Sequence, residues 1–248
     1  MFDINHDYFY HYTSFDTAKK IVASRVLLFS NIKKVNDINE SNGPNVIASN
    51  DAEFEELRPF LESFTQISLA MDVDNYHKGF DIPAMWGHYA QRGSGACLVL
   101  DKDAVLEEVD SRNLYSKRVV YNLASPDEIY YDKNKYGSPE AFIAMQRDDI
   151  FFRKTPDWEY EQEYRIIAID DDPCPLSIKK SLCGVILFSR SHERFLESVE
   201  YRTFSALSKD LFICRYSSGG RRETLYDDNN RSLIPPLRFD IKKALNVE

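Results

Sequence analysis

The chain has 248 residues, a formal net charge of −9 and a pI near 5.2. That length is ample for a sizeable core, and a 43% hydrophobic content excludes a disordered chain. The acidic balance argues against sequence-independent nucleic-acid binding, which needs a basic face, and only nine glycines argue against a Gly-rich nucleotide loop. Local basic patches remain at Lys179-Lys180 and Arg221-Arg222.

Residues 8–13 form an aromatic run of high strand propensity. Ser14 reads as the N-cap of a helix in which Phe15, Ala18, Ile21 and Val22 recur at helical spacing. Residues 26–30 return as a strand, and Asn36, Asp37 and Glu40 lie in a polar loop. A helix is predicted over 51–64 with Phe54, Leu57, Phe60 and Leu61 inward, then a strand over 65–70 and a polar loop to Asp81. Residues 83–90 read as a short helix with Pro83 in its first turn. A buried strand over 96–100 follows, then a helix over 102–109 capped by Asp101, a strand over 118–121, and a largely helical stretch over 126–153 broken near Gly137-Ser138-Pro139. The last third reads as a strand over 183–188, a helix over 191–209, a strand over 211–216, a flexible turn over 217–222 and a tail carrying Pro235-Pro236.

Trp158-Glu159-Tyr160-Glu161-Gln162-Glu163-Tyr164-Arg165 leads into the apolar run Ile166-Ile167-Ala168-Ile169. Read as one strand, it puts Glu161, Glu163 and Arg165 on one face and Tyr160, Gln162 and Tyr164 on the other. The two carboxylates would stand roughly 6–7 Å apart at the backbone. They would repel, which raises one pKa, while Arg165 lowers it. The bland alternative is an edge strand guarded by charge. About eight strands with interspersed helices, no repeat and no linker give an α+β class: a single domain over 1–248, with a split or mixed sheet core and flanking helices. The four cysteines form no CxxC pair, the chain opens Met1-Phe2-Asp3 without a signal peptide, and no apolar run approaches membrane-spanning length. A cytoplasmic location with no membrane partner is expected.

Three clusters stand out: His11-Tyr12-Thr13-Ser14, Met85-Trp86-Gly87-His88-Tyr89-Ala90, and the Trp158–Arg165 segment. With Asn36-Asp37 and Glu40, their order and spacing over residues 8–170 resemble a bacterial family, domain of unknown function 2971. That family in turn distantly resembles the ADP-ribosyltransferase fold. The resemblance implies an NAD-consuming enzyme that cleaves nicotinamide from ribose and passes ADP-ribose to an acceptor. NAD is then the substrate and no metal is expected. Glu163 takes the leading catalytic role, with Glu161 and His11 beside it. The nucleotide is held by His11, Tyr12, Thr13, Ser30, Trp86, His88, Tyr89 and Arg165. Tyr89 is the candidate for stacking on nicotinamide, with Trp86 or Tyr12 behind it. Family members often carry Gly after the histidine, where Tyr12 stands here.

The chemistry suits these residue types. Nicotinamide leaves neutral, so no general acid is needed, unlike the glycosidases. A carboxylate stabilises the oxocarbenium-like sugar, a second activates the acceptor, and aromatic faces hold a cationic ring. The implied setting is a toxin or anti-phage effector. The implied partners are a small nucleotide, a protein acceptor or an antitoxin, and nucleic acid stays open as an acceptor. The alternatives are a non-catalytic nucleotide sensor and a nuclease with Glu161 and Glu163 on Mg²⁺, for which Lys154 is the nearest lysine. Trp86 also reads as plain core, His88 as a backbone-bonded core histidine, and Arg165 as an ion-pair partner.

Overall fold

A computed structural model of the chain describes residues 3, 5–31, 46–74, 77–122, 129–169, 173–219 and 222–233. Asn36, Asp37, Glu40, Arg221, Pro235 and Pro236 lie outside the described residues. The architecture is α+β around one mixed nine-stranded sheet. Its strands, in chain order, are β1 (Tyr8–Thr13), β2 (Ser30–Asn31), β3 (Phe64–Met71), β4 (Ala96–Asp101), β5 (Tyr115–Arg118), β6 (Glu163–Ile169), β7 (Leu182–Phe188), β8 (Phe212–Gly219) and β9 (Arg222–Tyr226). The spatial order is β9-β8-β7-β4-β1-β3-β6-β5, with β2 on β3. Among the described residues, only β7 and β8 pair in parallel within this sheet.

Among the described residues, the α-helices are α1 (Phe15–Ser24), α2 (Asp51–Glu62), α3 (Pro83–His88), α4 (Lys102–Ser111), α5 (Lys133–Tyr136), α6 (Pro139–Phe151), α7 (His192–Glu197) and α8 (Val199–Leu207). Their starts follow local chemistry. Ser14 accepts from Thr17 N at 3.1 Å and Asp101 from Ala104 N at 2.9 Å, so each satisfies an orphan amide of the first turn. Helix is predicted without a break over 191–209, but Ser198 leaves helical geometry and caps α8 through Tyr201 N at 3.1 Å. In the predicted helical stretch over 126–153, residues 129–131 are strand instead, while the predicted break stands at Gly137, which at φ 79° ends α5. Phe54 stays exposed on α2 while Leu57 and Leu61 turn inward.

Side-chain alternation gives the sheet two different faces. Phe9, Leu69, Leu98, Ile166 and Val185 pack on one face beneath α1, α4, α7 and α8. On the other face two apolar clusters form. Tyr8, Tyr10, Tyr12, Trp86 and Tyr216 make one; Leu57, Leu61, Phe64, Phe142, Phe151 and Ile167 make the other. Gln66 and Ser68 of β3, with Glu163 and Arg165 of β6, share that face between the two clusters.

One edge of β3 is interrupted. β1 pairs with β4 along its whole length, but with β3 only at Phe9–Met71 and Tyr10–Ala70. Farther along, β2 takes over at Ser30–Gln66. Between them, among the described residues, Ser68 has no strand neighbour on that edge and its residue is exposed in mid-sheet. Among the described residues, no helix is long and apolar enough to cross a membrane.

Candidate active site

The segment expected as one long charged strand is two elements. Residues Pro156–Glu161 are a 3₁₀ helix and β6 begins only at Glu163. Gln162 joins them in the left-handed region at φ 46°. That reversal is stabilised by Gln162 Nε2 donating to Glu159 O at 2.7 Å and by Arg118 Nη2 donating to Gln162 Oε1 at 2.6 Å. The alternation argument therefore fails at Glu161, yet the two glutamates still converge, because the left-handed residue turns the chain back.

They converge on Lys154. Its Nζ donates to Glu161 Oε2 at 2.7 Å and lies 2.9 Å from Glu163 Oε2. Arg165 forks Glu163 from the other side: Nε donates to Oε1 and Nη2 to Oε2, both at 2.8 Å, while Nη1 donates to Phe151 O at 2.6 Å. The four residues are nearly sealed, with relative exposures of 4% for Glu161, 2% for Glu163, 6% for Lys154 and 1% for Arg165. Two carboxylates meet two cations, so the cluster is charge-neutral, as a buried ionic group must be to survive desolvation. Burial pushes the Glu163 carboxyl up, but the charges of Arg165 and Lys154 and the hydrogen bonds from Arg165 and Ser68 outweigh it. Its pKa falls well below the usual 4.5 and it is a fixed carboxylate.

Local pairing places Lys154. The two-residue strand Arg153–Lys154 runs parallel to Val120–Tyr121. Tyr121 Oη accepts from Glu163 N at 2.8 Å. On the outer side, Tyr89 Oη donates to Glu161 Oε1, and burial followed by the Glu161 charge raises the Tyr89 pKa. Around this point lie three aromatic side chains: His88 is exposed, and Tyr160 and Trp158 are half-buried. The His88 and Tyr160 rings stack with centroids 6.2 Å apart, and Tyr160 lies 6.1 Å from Trp158. Lys154 Nζ stands 5.5 Å from the Trp158 ring centroid.

His11 reaches the site from β1. It is half-buried, and its Nδ1 lies 3.3 Å from Ser68 O, in the gap on the edge of β3. A carbonyl can only accept, so Nδ1 carries the proton and Nε2 presents a lone pair. Burial lowers the His11 pKa and the Ser68 bond opposes it; the net shift is downward, toward neutral imidazole. The Ser68 side chain hydrogen-bonds Glu163 and accepts from Gln66 Nε2 at 3.3 Å. Ser68 thus ties His11, through its carbonyl, to Glu163, through its hydroxyl.

Four expected ligand residues stand elsewhere. Tyr12 and Trp86 are core, not lining. Tyr12 Oη donates to Gly79 O at 2.8 Å, Trp86 Nε1 donates to Phe80 O at 2.9 Å, and Trp86 stacks on Tyr216 at 5.2 Å. A polar tip satisfied by backbone is what lets such rings be buried. Thr13 is buried at the end of β1, and Ser30 is exposed on β2 opposite Gln66, at the far end of β3 from Glu163. Arg165 has the ion-pair role. Ser68, Gln66 and Tyr121 belong to none of the three sequence motifs, and Lys154 enters only the nuclease alternative. Gln66 and Ser68 were legible as polar residues at alternate positions of an apolar strand, and Lys154 as a lysine just past the apolar pair Phe151-Phe152. Among the described residues, no group of three or more His, Cys, Asp or Glu is arranged to hold a metal ion.

Residues 85–166 match the model of a family described as "Protein of unknown function (DUF2971)". No curated protein and no solved structure matches the chain.

Proposed function

We propose that this chain, whose residues 85–166 match the DUF2971 family model, is an ADP-ribosyltransferase-like protein whose cleft lies over Ser68 and accepts NAD. The observation that carries the reading is the meeting of His11 and Glu163 at Ser68. The ribose is placed at Ser68, which is exposed in mid-sheet: its carbonyl is bonded by His11 and its side chain by the buried Glu163, so that the carboxylate acts on the ribose through Ser68 and not by direct contact. The C–N glycosidic bond breaks with its electron pair going to nicotinamide, which leaves neutral. The Glu161–Glu163 pair stabilises the positive charge left on the sugar, and the acceptor attacks that carbon and gives up its proton to solvent water. Protein or a small molecule is the favoured acceptor over nucleic acid, given the net charge of −9.

A second reading is favoured by a different observation. Glu163 faces three cationic N–H donors at 2.8, 2.8 and 2.9 Å, so its charge is already matched inside the protein. A carboxylate so matched suits a module that binds the nucleotide without turnover.

Release of nicotinamide from NAD decides between them, measured beside His11→Ala, Glu161→Gln and Glu163→Gln. The enzyme reading expects release that all three substitutions abolish while the fold is retained. Release at wild-type rate in Glu163→Gln would remove that residue from the chemistry. A melting-temperature rise with NAD but no release establishes the binding module. Neither release nor a rise overturns both.

A further inference from the structure

Gly87 lies within α3, yet among the described residues a Cβ built there meets nothing within 4 Å, and its φ is ordinary. Helices disfavour glycine, and no contact among the described residues requires one here. Positions 84, 87 and 88 form the outward face of α3, since Met85 and Trp86 are buried. His88 on that face is stacked on Tyr160, and Tyr160 adjoins Trp158. Gly87 thus immediately precedes His88, the first of three aromatic rings in a row. The surface of these rings abuts the ion cluster, because Tyr89 follows His88 and bonds Glu161, which follows Tyr160.

We propose that this surface is a base-binding shelf, that it takes a neutral, electron-rich purine ring, and that Gly87 is kept bare so that the ring can lie against the helix. This rests on the nucleotide reading above and adds which part of the nucleotide binds here. The charge arrangement selects the ring. The buried Lys154 ammonium, 5.5 Å from the Trp158 centroid, already draws on the negative face of that indole. A second cation stacked on Trp158 would compete with Lys154. A neutral purine stacks without that penalty. The cationic nicotinamide ring is thus directed away from the shelf, toward Ser68.

Only two tryptophans are present, Trp86 in the core and Trp158 on the shelf, so Trp158 fluorescence reports on stacking. The protein is titrated with AMP, with nicotinamide mononucleotide and with NAD. AMP and NAD should quench the emission and nicotinamide mononucleotide should not, with the quench gone in Trp158→Phe. Gly87→Leu replaces glycine with a strong helix former, so it should melt no lower than wild type while AMP binding weakens by about tenfold or more. Nicotinamide release without AMP quenching, or unchanged AMP affinity in a folded Gly87→Leu, overturns the shelf and leaves the NAD reading standing. AMP quenching without any nicotinamide release keeps the shelf and ends the catalytic reading. Equal quenching by nicotinamide mononucleotide would overturn the purine preference.

Discussion

Lys154 is the residue on which the site's electrostatics turn. Its ammonium is the cation that Glu161 and Glu163 share, at 2.7 and 2.9 Å. Removing one partner of a buried ionic group strands the rest, at a cost of about 3–5 kcal/mol. Lys154→Met is therefore expected to lower unfolding stability by that amount near neutral pH, measured by urea denaturation. Adding Glu161→Gln should restore most of it, because the remaining Arg165–Glu163 pair is neutral. The pH dependence has a defined sign. The folded pKa of Glu163 lies below its ordinary 4.5, so its contribution is complete above that pH and is lost as the pH falls below it. The gap between wild type and Lys154→Met should narrow under acid, and a gap that stays constant would sink this account. Sequence alternation brought Glu163 and Arg165 together correctly, since both lie on β6. It paired Glu161 with them for the wrong reason, because a left-handed Gln162 is not visible as a pattern.

At the level of elements, the turn after α3 is the most strained stretch among the described residues. Gln91, Arg92 and Gly93 follow one another in the left-handed region, at φ 47°, 56° and 89°. Each non-glycine residue there costs roughly 1–2 kcal/mol. The turn holds because it is docked: Gln91 Oε1 accepts from Phe15 N at 3.1 Å, and a Cβ on Gly95 would come within 2.3 Å of Thr13 O. These contacts join the His-Tyr-Thr-Ser strand end to the helix carrying His88 and Tyr89. Arg92→Gly is expected to raise the melting temperature slightly by removing strain. Gly95→Ala should lower it by several degrees, since backbone and not a mobile side chain would have to move. Calorimetry of the two variants checks the pair of signs. Short elements such as α1, α3 and β4 were legible from caps, Pro83 and apolar runs, all local signals. The docking between two distant motifs left no trace in spacing.

Across the whole molecule, composition and periodicity gave the α+β class, while strand order stayed hidden. Which strands become neighbours depends on packing between residues far apart, and apolar runs such as 96–100 and 183–188 look alike whatever they pair with. The interrupted edge of β3, where His11 meets Ser68, is a property of that order and had no sequence signature beyond Gln66 and Ser68. The same order has a kinetic consequence. β1, the first strand, lies in the middle of the sheet between β4 and β3, and β3 at residues 64–71 pairs with β6 at residues 163–169. Loops of that length must close before their contacts can form, so refolding is expected on the millisecond-to-second scale of β-rich topologies, not in microseconds. Stopped-flow refolding followed by tryptophan emission checks it. During synthesis, β3 therefore waits with one edge open until β6 emerges, and Glu163 enters the molecule only as that pairing closes.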